Sequence, residues 1–401
     1  MKKTGLDLAA CGILLASMQA LSSCMDGAPG QNEYAGENTM FSVKALQADF
    51  NQFRKFLEES HPQLYRFTSK QTFDSLFEVH SRMIDDSMTT QESPVATGSQ
   101  IISVNGMDAR YLLEEMLGNI WSDGFIKTNR YRRLNSLFPY LYALNYGYPR
   151  QFKMVYIEED MEKQINLEPL SRLFITAYRD SLVNSGTIRR EDLIMELKDE
   201  QTALLTIRTF AYYDDNKGFN KFIDSSFQVI QDHKIQNLII DLRGNDGGDP
   251  FCSSHLLAYL QKKPVIYFRQ PYGRYARLNK PLPIAEKPFK GSQYYLIDGM
   301  CFSTTGHITS LLKYYGFGTF IGEETGATYT CNDASHDTRL KHTGYRLQSA
   351  RASFATAVTG FRMDQGIQPD FPVRQSIDEV IHNHDAVLEF TLALIKQKNS
   401  K

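Results

Sequence analysis

The chain has 401 residues, enough for a large core and for more than one folding unit, and we expect its main domain on the C-terminal side. Its formal net charge of −2 gives no electrostatic reason to expect nucleic acid or an anionic membrane surface as a partner. The charge therefore argues against a nucleic-acid-binding function.

The first 24 residues have the order of an export signal. Two lysines precede the apolar run LAACGILLASMQAL, which is too short for a stable transmembrane span. The following LSSC, ending at Cys24, resembles a bacterial lipobox, in which the cysteine is lipidated and becomes the mature N-terminus. We expect a lipoprotein signal peptide over 1–24 and a flexible tether over 25–43. The protein would then be exported and lipid-anchored through Cys24 in the bacterial cell envelope, on its periplasmic or outer-membrane face. A buried N-terminal helix is the alternative.

Export would place the cysteines Cys252, Cys301 and Cys331 in an oxidising space, where disulfides form. Three cysteines cannot all pair with each other, and the sequence leaves the pairing open. Their spacing matches no metal motif and few histidines lie nearby, so we expect neither a metal ion nor another cofactor.

Two amphipathic stretches, 44–60 and 71–88, predict a small helical region over 44–92. In the next region, 93–199, the segment GSQIISVNGMDARYLLEEMLGNI predicts a strand, an Asn-Gly turn and a helix beginning near Asp108. The remainder of 93–199 is rich in tyrosine and has no clear period. We expect it to link the N-terminal pieces to the main domain.

The strongest signals lie in the predicted main domain, 200–396, where short apolar runs alternate with amphipathic segments. Strands are predicted for ALLTIRTF, NLIID, PVIYF, QYYLID and GTFIG, and helices for 219–230, 253–263 and 304–316. Strands that alternate with helices of this length form βαβ units, and hence a largely parallel sheet covered by helices. Ligands of such sheets bind beyond the carboxyl ends of the strands.

The segment NLIIDLRGNDGGDP joins a buried strand to a turn with three glycines, Gly244, Gly247 and Gly248. Glycines allow the backbone to approach a ligand closely, and the helix that follows the turn points free N–H groups outward. The turn suits a phosphate group or a carbonyl oxygen. It is not a phosphate loop of known type, because neither G-x-x-x-x-G-K-[ST] nor G-x-G-x-x-G occurs here.

A second candidate lies in LIDGMCFSTTGHITSLLKYYG, where Ser303 follows a strand and begins a helix. A serine in this position exposes its hydroxyl, and the next backbone N–H can donate to an oxyanion. The alternative is that Ser303 is only an N-cap. Cys301 is an alternative thiol nucleophile, although its place at the strand end favours burial.

Three segments, NLIIDLRGNDGG, FSTTGHITSLLKYYGFGTFIGEETG and GIQPDFPV, resemble in order and spacing the C-terminal motifs of the tail-specific, or C-terminal processing, serine peptidases. ESHPQLYRF and GSQIISVNGM resemble N-terminal pieces of exported, tricorn-like bacterial members, the latter from a partial PDZ-like segment. The resemblance implies an α/β fold built as a spiral of ββα units, as in the Clp protease and crotonase folds, and a peptide or protein substrate. It also implies that Ser303 is the nucleophile. The N–H groups of Thr304 and of a glycine within 244–248, with Gly247 favoured, would form the oxyanion hole.

The base that this family uses is missing from both expected positions. In the bacterial processing branch a lysine downstream of the nucleophile is the base, and Thr328 occupies that position here. A threonine cannot accept the proton as a lysine of depressed pKa does. In the tricorn-like branch the base is a histidine from an upstream D-G-H-T segment. The comparable string here is SDGF, with Phe125 in the place of the histidine, and it follows the PDZ-like strand instead of preceding it.

Other titratable groups are candidates for the missing base. His307 follows Ser303 by four residues, so both lie on one helical face, where the imidazole can bond to the nucleophile or face solvent. A surface or packing role is the alternative for each histidine. The further candidates are His255, His336 and Asp364, while Glu323 and Glu324 are expected to be structural.

Together these patterns predict a cell-envelope serine-type peptidase that hydrolyses peptide bonds through an acyl-enzyme on Ser303, with low activity because a base is not evident. The alternative is a catalytically inactive homologue that acts as a peptide-binding or scaffolding lipoprotein. A third interpretation, an acyl-CoA enzyme of the crotonase type, shares the glycine turn, but an export signal argues against a cytosolic substrate.

Overall fold

The computed structural model describes residues 98–147, 149–169, 191–333, 336–342, 344 and 346–399, together with 48, 51, 52, 54–56, 58, 59, 70, 95 and 96. The predicted signal peptide, its Cys24 and the predicted tether lie outside the described residues. Of the predicted helical region 44–92, the described residues from 48 to 70 are helical. Within the described part of the chain, no helix has the length and apolar character needed to cross a membrane.

An antiparallel sheet and two helices form the first described unit. Its strands, in the order β2-β1-β3-β4, pack with two helices around a core that includes Leu112 and Met116. The predicted strand, turn and helix are present, since Asn105 and Gly106 have the positive φ of a tight turn and the Asp108 carboxylate caps the helix. The elements are β1 Gln100–Val104, β2 Met107–Asp108, α1 Ala109–Gly118, α2 Lys127–Tyr146, β3 Phe152–Glu158 and β4 Met161–Leu167.

A six-stranded sheet in the order β16-β11-β10-β7-β6-β5 organises the main domain. All its neighbouring strands are parallel except β5 and β6. Its strands and the helices between them are β5 Leu193–Leu197, β6 Thr202–Ile207, α3 Asn216–Asp232, β7 Asn237–Asp241, α4 Pro250–Leu260, β10 Ser292–Ile297, α5 Thr304–Tyr314, β11 Thr319–Gly322 and β16 Phe371–Pro372. The smaller two-stranded ladders pair β8 Val265–Ile266 with β9 Pro281–Leu282, β12 Thr330–Asn332 with β15 Ser353–Ala355, and β13 His336–Arg339 with β14 Arg346–Ser349. Helices α6 Ile377–Ile381 and α7 Ala386–Asn399 follow.

Helices cover both faces of this sheet, which explains why its central strands are apolar at nearly every position. Alternate residues of β7 point to opposite faces. Leu238 and Ile240 pack into the large core with helices α3, α4 and α5. Ile239 packs on the other face against Val387 and Ile395 of α7. Strand β7 is therefore buried along its whole length.

The two motifs lie side by side because β7 and β10 are parallel neighbours. Their carboxyl ends meet at one edge of the sheet, which is where ligands of α/β sheets bind. A backbone bond of 3.1 Å from Phe302 N–H to the Asn245 carbonyl joins the two loops directly. The topology thus places Ser303 beside the glycine turn.

The expected α/β class and the largely parallel sheet are confirmed. Two boundaries differ from the prediction. The helix predicted from 253 begins at Pro250, because the Asp249 carboxylate caps it and Pro250 suits the first helical turn. The segment PVIYF contributes only Val265–Ile266, which pair with Pro281–Leu282 outside the main sheet.

Candidate active site

The turn after β7 is held in one conformation by its own side chains. Gly244, Gly247 and Gly248 have φ of 76°, 105° and 139°, values that favour glycine. The Asn245 side chain crosses the turn, since its Nδ2 donates to the Ile207 carbonyl at 3.0 Å and its Oδ1 accepts from Gly247 N–H at 2.9 Å. The bend therefore keeps its shape without a ligand.

A buried cluster of ion pairs fixes the strand that leads into the turn. The Asp241 carboxylate accepts from Arg243 and Arg208 at 2.9 Å, and Arg243 also bonds to Asp385 at 2.7 Å. Burial alone would raise the pKa of Asp241, but the two guanidinium groups outweigh burial and hold it below the ordinary value. The cluster ties β7 to the end of β6 and to the start of α7.

Ser303 stands at the N-terminus of α5 in a strained conformation, with φ of 51° and ψ of −119°. Non-glycine residues adopt such angles only where their surroundings enforce them, and this strain concentrates at functional sites. The Ser303 side chain makes no capping hydrogen bond. The geometry is that of a partly exposed hydroxyl on a sharp strand-to-helix turn, and the N-cap alternative is not supported.

Gly247 touches the nucleophile candidate directly. A β-carbon placed on Gly247 would lie 2.8 Å from the Ser303 Cβ, 2.8 Å from the Phe302 carbonyl oxygen and 3.0 Å from Thr304 N. Real β-carbons do not approach backbone atoms this closely. Any other residue at this position would have to displace Ser303 or the turn.

Among the described residues, the backbone N–H groups of Gly248 and Thr304 have no acceptor, and both lie at this junction. They are held together by the Thr304 hydroxyl, which donates to the Gly248 carbonyl at 2.5 Å. The predicted preference for Gly247 as an oxyanion donor does not fit this arrangement, because the Gly247 N–H already donates to Asn245 Oδ1. The Gly244 N–H donates to Asp298, so Gly248 is the glycine of the turn whose N–H has no acceptor among the described residues, and it is partly exposed.

A thiol lies between Ser303 and His307. The Ser303 Oγ is 3.7 Å from the Sγ of Cys331, and that sulfur is 3.3 Å from the Nε2 of His307. His307 is thus on the same side of the helix as Ser303, as predicted, but no direct bond between them is present among the described contacts. Sulfur hydrogen bonds are longer than oxygen ones, and both distances are compatible with them.

Burial keeps both the His307 imidazole and the Cys331 thiol neutral. Burial lowers the pKa of the His307 imidazole to about 4. The Phe354 backbone opposes that shift, although within the described structure Nδ1 has no partner in good hydrogen-bond geometry. Burial also raises the pKa of the Cys331 thiol to about 12, opposed by Ser303 and helped by the carboxylates of Asp123 and Asp333. No ready-made thiolate–imidazolium pair exists here.

The two positions where the family carries a base are occupied as the sequence indicates. Thr328 is buried, and its hydroxyl is used within its own loop, donating to the Thr330 carbonyl at 3.0 Å. Phe125 is 70% exposed, and its N–H donates to the Asp364 carbonyl at 3.1 Å. Neither side chain is a basic group that could serve as the general base.

The remaining candidates have other partners. His255 bonds to Asp224 at 2.6 Å on helix α3, and His336 packs against the ring of Phe56. Asp364 pairs with Arg362 at 2.6 Å. Glu323 and Glu324 are tied to Arg132 and to the Gly366 N–H, as expected for structural residues.

Cys252, Cys301 and Cys331 are all free and buried in the structure, and Cys301 bonds to the Leu242 carbonyl at 3.1 Å. Burial raises the pKa of Cys301 well above its usual value, which makes it a poor nucleophile. Within the described residues, no group of three or more His, Cys, Asp or Glu side chains is arranged to hold a metal ion.

The loop before α2 contributes Trp121 beside the site, a contact that was not predicted from the sequence. Trp121 is 57% exposed and meets the ring of Phe302 edge to face at 5.2 Å. The guanidinium group of Arg133 lies 3.9 Å from the Trp121 ring centre and donates to Asp246 at 2.8 Å. The only tryptophan of the chain, next to the SDGF string, was the available signal.

Comparison with known proteins agrees with the fold. Residues 201–373 match the model of peptidase family S41. The chain is similar to a structure of mature CPAF complexed with lactacystin, at 12% identity and a TM-score of 0.58, over 88% of this chain and 97% of that one. It is also similar to mature CPAF alone, at 12% identity and a TM-score of 0.55, over 87% of this chain and 95% of that one. The likeness to the photosystem II D1 C-terminal processing protease is weaker, at 12% identity and a TM-score of 0.41. It covers 87% of this chain and 99% of that one. At these identities the solved structures establish the fold alone, and no curated protein matches.

The α/β fold, with a serine at a strand-to-helix turn against a glycine bend, is that of a serine-type peptidase domain. The match of residues 201–373 to the model of peptidase family S41 agrees with the family resemblance that the three motifs indicated.

Proposed function

We propose that this protein is a cell-envelope serine-type peptidase that hydrolyses peptide bonds through an acyl-enzyme on Ser303. The Ser303 Oγ attacks the scissile carbonyl carbon, and the carbonyl oxygen becomes an oxyanion that accepts from the N–H groups of Thr304 and Gly248. Collapse of this intermediate releases the amine product, and water then hydrolyses the ester. One such amide donor is worth about 3 to 4 kcal/mol of transition-state stabilisation.

The observation that carries this proposal is the strained Ser303 turn packed against Gly247. Strain of this kind costs about 1 to 3 kcal/mol and persists only where the surroundings enforce it. The free N–H groups of Gly248 and Thr304 beside it are available to an acceptor on a bound ligand. A peptide carbonyl oxygen is an acceptor of the right kind.

We expect the activity to be low, because proton removal from Ser303 is poorly supported. The family's lysine and histidine positions hold Thr328 and Phe125, and the nearest imidazole, His307, is neutral, buried and separated from Ser303 by Cys331. The envelope location rests on the predicted signal peptide and the lipobox ending at Cys24. Metabolic labelling with a fatty acid, lost in Cys24→Ala, is the expected result if the anchor is real.

An active-site label tests the peptidase proposal. A fluorophosphonate should react covalently with the mature wild-type protein, and Ser303→Ala should abolish the reaction. Ser225→Ala, an exposed serine on α3, is the matched control and should be labelled like the wild type. Absence of any labelling of folded wild-type protein would contradict the proposal.

The second candidate is an inactive homologue that binds peptides or acts as a scaffold in the envelope. It is favoured by the presence of a thiol, in place of a basic group, beside the Ser303 hydroxyl. Peptide binding that is unchanged in Ser303→Ala, with no hydrolysis of the same peptide over long incubation, would support this candidate over the first.

A further inference from the structure

We propose that Cys331 passes the proton of Ser303 to His307, so that the thiol and the imidazole together act as the missing base. This inference rests on the proposed peptidase function. It assigns a role to a residue that no family motif indicates, and it makes His307 a positioning residue that acts through Cys331.

The distances from Ser303 to Cys331 and from Cys331 to His307 support proton transfer in two short steps. Cys331 Sγ is within hydrogen-bond reach of both Ser303 Oγ, at 3.7 Å, and His307 Nε2, at 3.3 Å. A thiol can donate one proton and accept another, which is what a bridging group needs. Strand β12 carries Cys331 to this position from 28 residues beyond Ser303.

The Cys331 thiol is the polar neighbour of His307 Nε2. The ring is enclosed by Phe268 and Tyr267, which meet it edge to face, so Nε2 has only the thiol as a polar neighbour among the described residues. The transfer requires the tautomer with the proton on Nδ1, an atom that has no partner in good hydrogen-bond geometry among the described residues. With the proton on Nδ1, Nε2 is an acceptor that faces the Cys331 S–H.

The two proton transfers accompany the attack on the carbonyl carbon. As the Ser303 Oγ forms its bond to the carbonyl carbon, the O–H proton moves to Cys331 Sγ and the S–H proton moves to His307 Nε2. The carbonyl π electrons become the oxyanion. When the amine leaves, the imidazolium returns its proton to the sulfur, and the sulfur proton moves to the leaving nitrogen. No redox change occurs.

An independent role for Cys331 as the nucleophile is disfavoured. Cys331 is 8% exposed, whereas Ser303 stands partly exposed in front of it at the strand-to-helix turn. The carboxylates of Asp123 and Asp333 are the charged groups that act on the thiol, and both disfavour a thiolate. The phenol of Tyr267 faces His307 and is neutral, because burial raises its pKa. The thiol therefore has to give up its own proton as it takes one.

The test measures the rate of fluorophosphonate labelling of Ser303 as a function of pH in the wild type and five variants. Cys331→Ala should slow labelling about 100-fold, the lower range for a lost general base. His307→Gln should slow it equally, and the double variant should be no slower than either single one, because both act in one step. Cys331→Ser should recover most of the rate, since a hydroxyl can also bridge. Cys252→Ala controls for loss of a buried thiol elsewhere and should behave like wild type.

A structural role would not reproduce this pattern. In the wild type the labelling rate should fall as the pH drops toward the depressed pKa of His307, and this dependence should vanish in Cys331→Ala. If Ser303 is labelled in Cys331→Ala at the wild-type rate and with the wild-type pH profile, the transfer through Cys331 is wrong and the peptidase proposal stands. If folded wild-type protein is not labelled at all, both fail. Melting temperatures of the variants identify any loss of rate that comes from unfolding.

Discussion

The two sides of Ser303 are built differently. On the glycine side, the backbone is fixed by Asn245 and by the ion pairs of Asp241, and two amides are left free for a ligand. On the other side, the polar neighbour of the hydroxyl among the described residues is a neutral thiol, with a neutral buried imidazole beyond it. Oxyanion stabilisation comes from backbone groups, which survive changes of side chain, whereas the base is a single side chain that one substitution can remove.

The largest effect is expected from Asp241, whose ion pairs fix the strand before the glycine turn. Asp241→Asn removes a buried negative charge and leaves Arg243 and Arg208 without their shared partner. Breaking a buried ion pair from one side typically costs about 3 to 5 kcal/mol of unfolding free energy. Denaturant unfolding measures this loss. Asp337→Asn, from an exposed pair with Arg346, is the control, and an equal effect of both substitutions would show that the anchor is not special.

Gly247→Ala should break the contact between the two motifs. The new β-carbon would collide with Ser303 and with the Phe302 carbonyl, at a backbone φ that disfavours alanine. Fluorophosphonate labelling of Ser303 should slow by about 100-fold or more, because a displacement of about 1 Å is enough for such a loss. Gly316→Ala also has a positive φ but open space around it, and it should keep the wild-type rate. Wild-type labelling of Gly247→Ala would refute the close packing.

The buried imidazole of His307 should make the free energy of unfolding decrease at acidic pH. Because the pKa of His307 falls from 6.5 to about 4 on folding, the unfolded chain binds more protons between these values. Stability should therefore decrease as the pH falls from 6.5 to 4, by about 3 kcal/mol in total, and this term should be missing in His307→Gln. Unfolding of both proteins across this pH range measures the difference. Parallel curves for the two proteins would mean that His307 is solvated and titrates normally.

A smaller effect is expected from the bond that joins the two free amides. Thr304→Val keeps the shape of the side chain but removes the hydrogen bond to the Gly248 carbonyl. Loss of one such bond costs about 1 kcal/mol, which corresponds to a labelling rate several times lower if Gly248 shifts. Thr304→Ser retains the hydroxyl and should label at nearly the wild-type rate. Equal rates for Val and Ser would show that the bond does not position Gly248.

Much of the site was predictable because its signals are local. The apolar strand NLIID, the glycines after it and a serine at the start of an apolar helix are short patterns whose geometry follows from neighbours in the chain. The resemblance of three such patterns to one family gave their roles and their order. The absence of a base at Thr328 and Phe125 was also visible, because it depends on residue identity alone.

The sequence by itself determined the alternating strands and helices, the fixed glycine bend and the position of Ser303, since each depends on backbone preferences within a few residues. Only the tertiary structure decided that Gly248 and not Gly247 has a free amide, because that depends on where the Asn245 side chain turns. It alone placed Cys331 between Ser303 and His307, and Trp121 against Phe302. These contacts join segments far apart in the chain, and no local pattern encodes which side chains meet across a cleft.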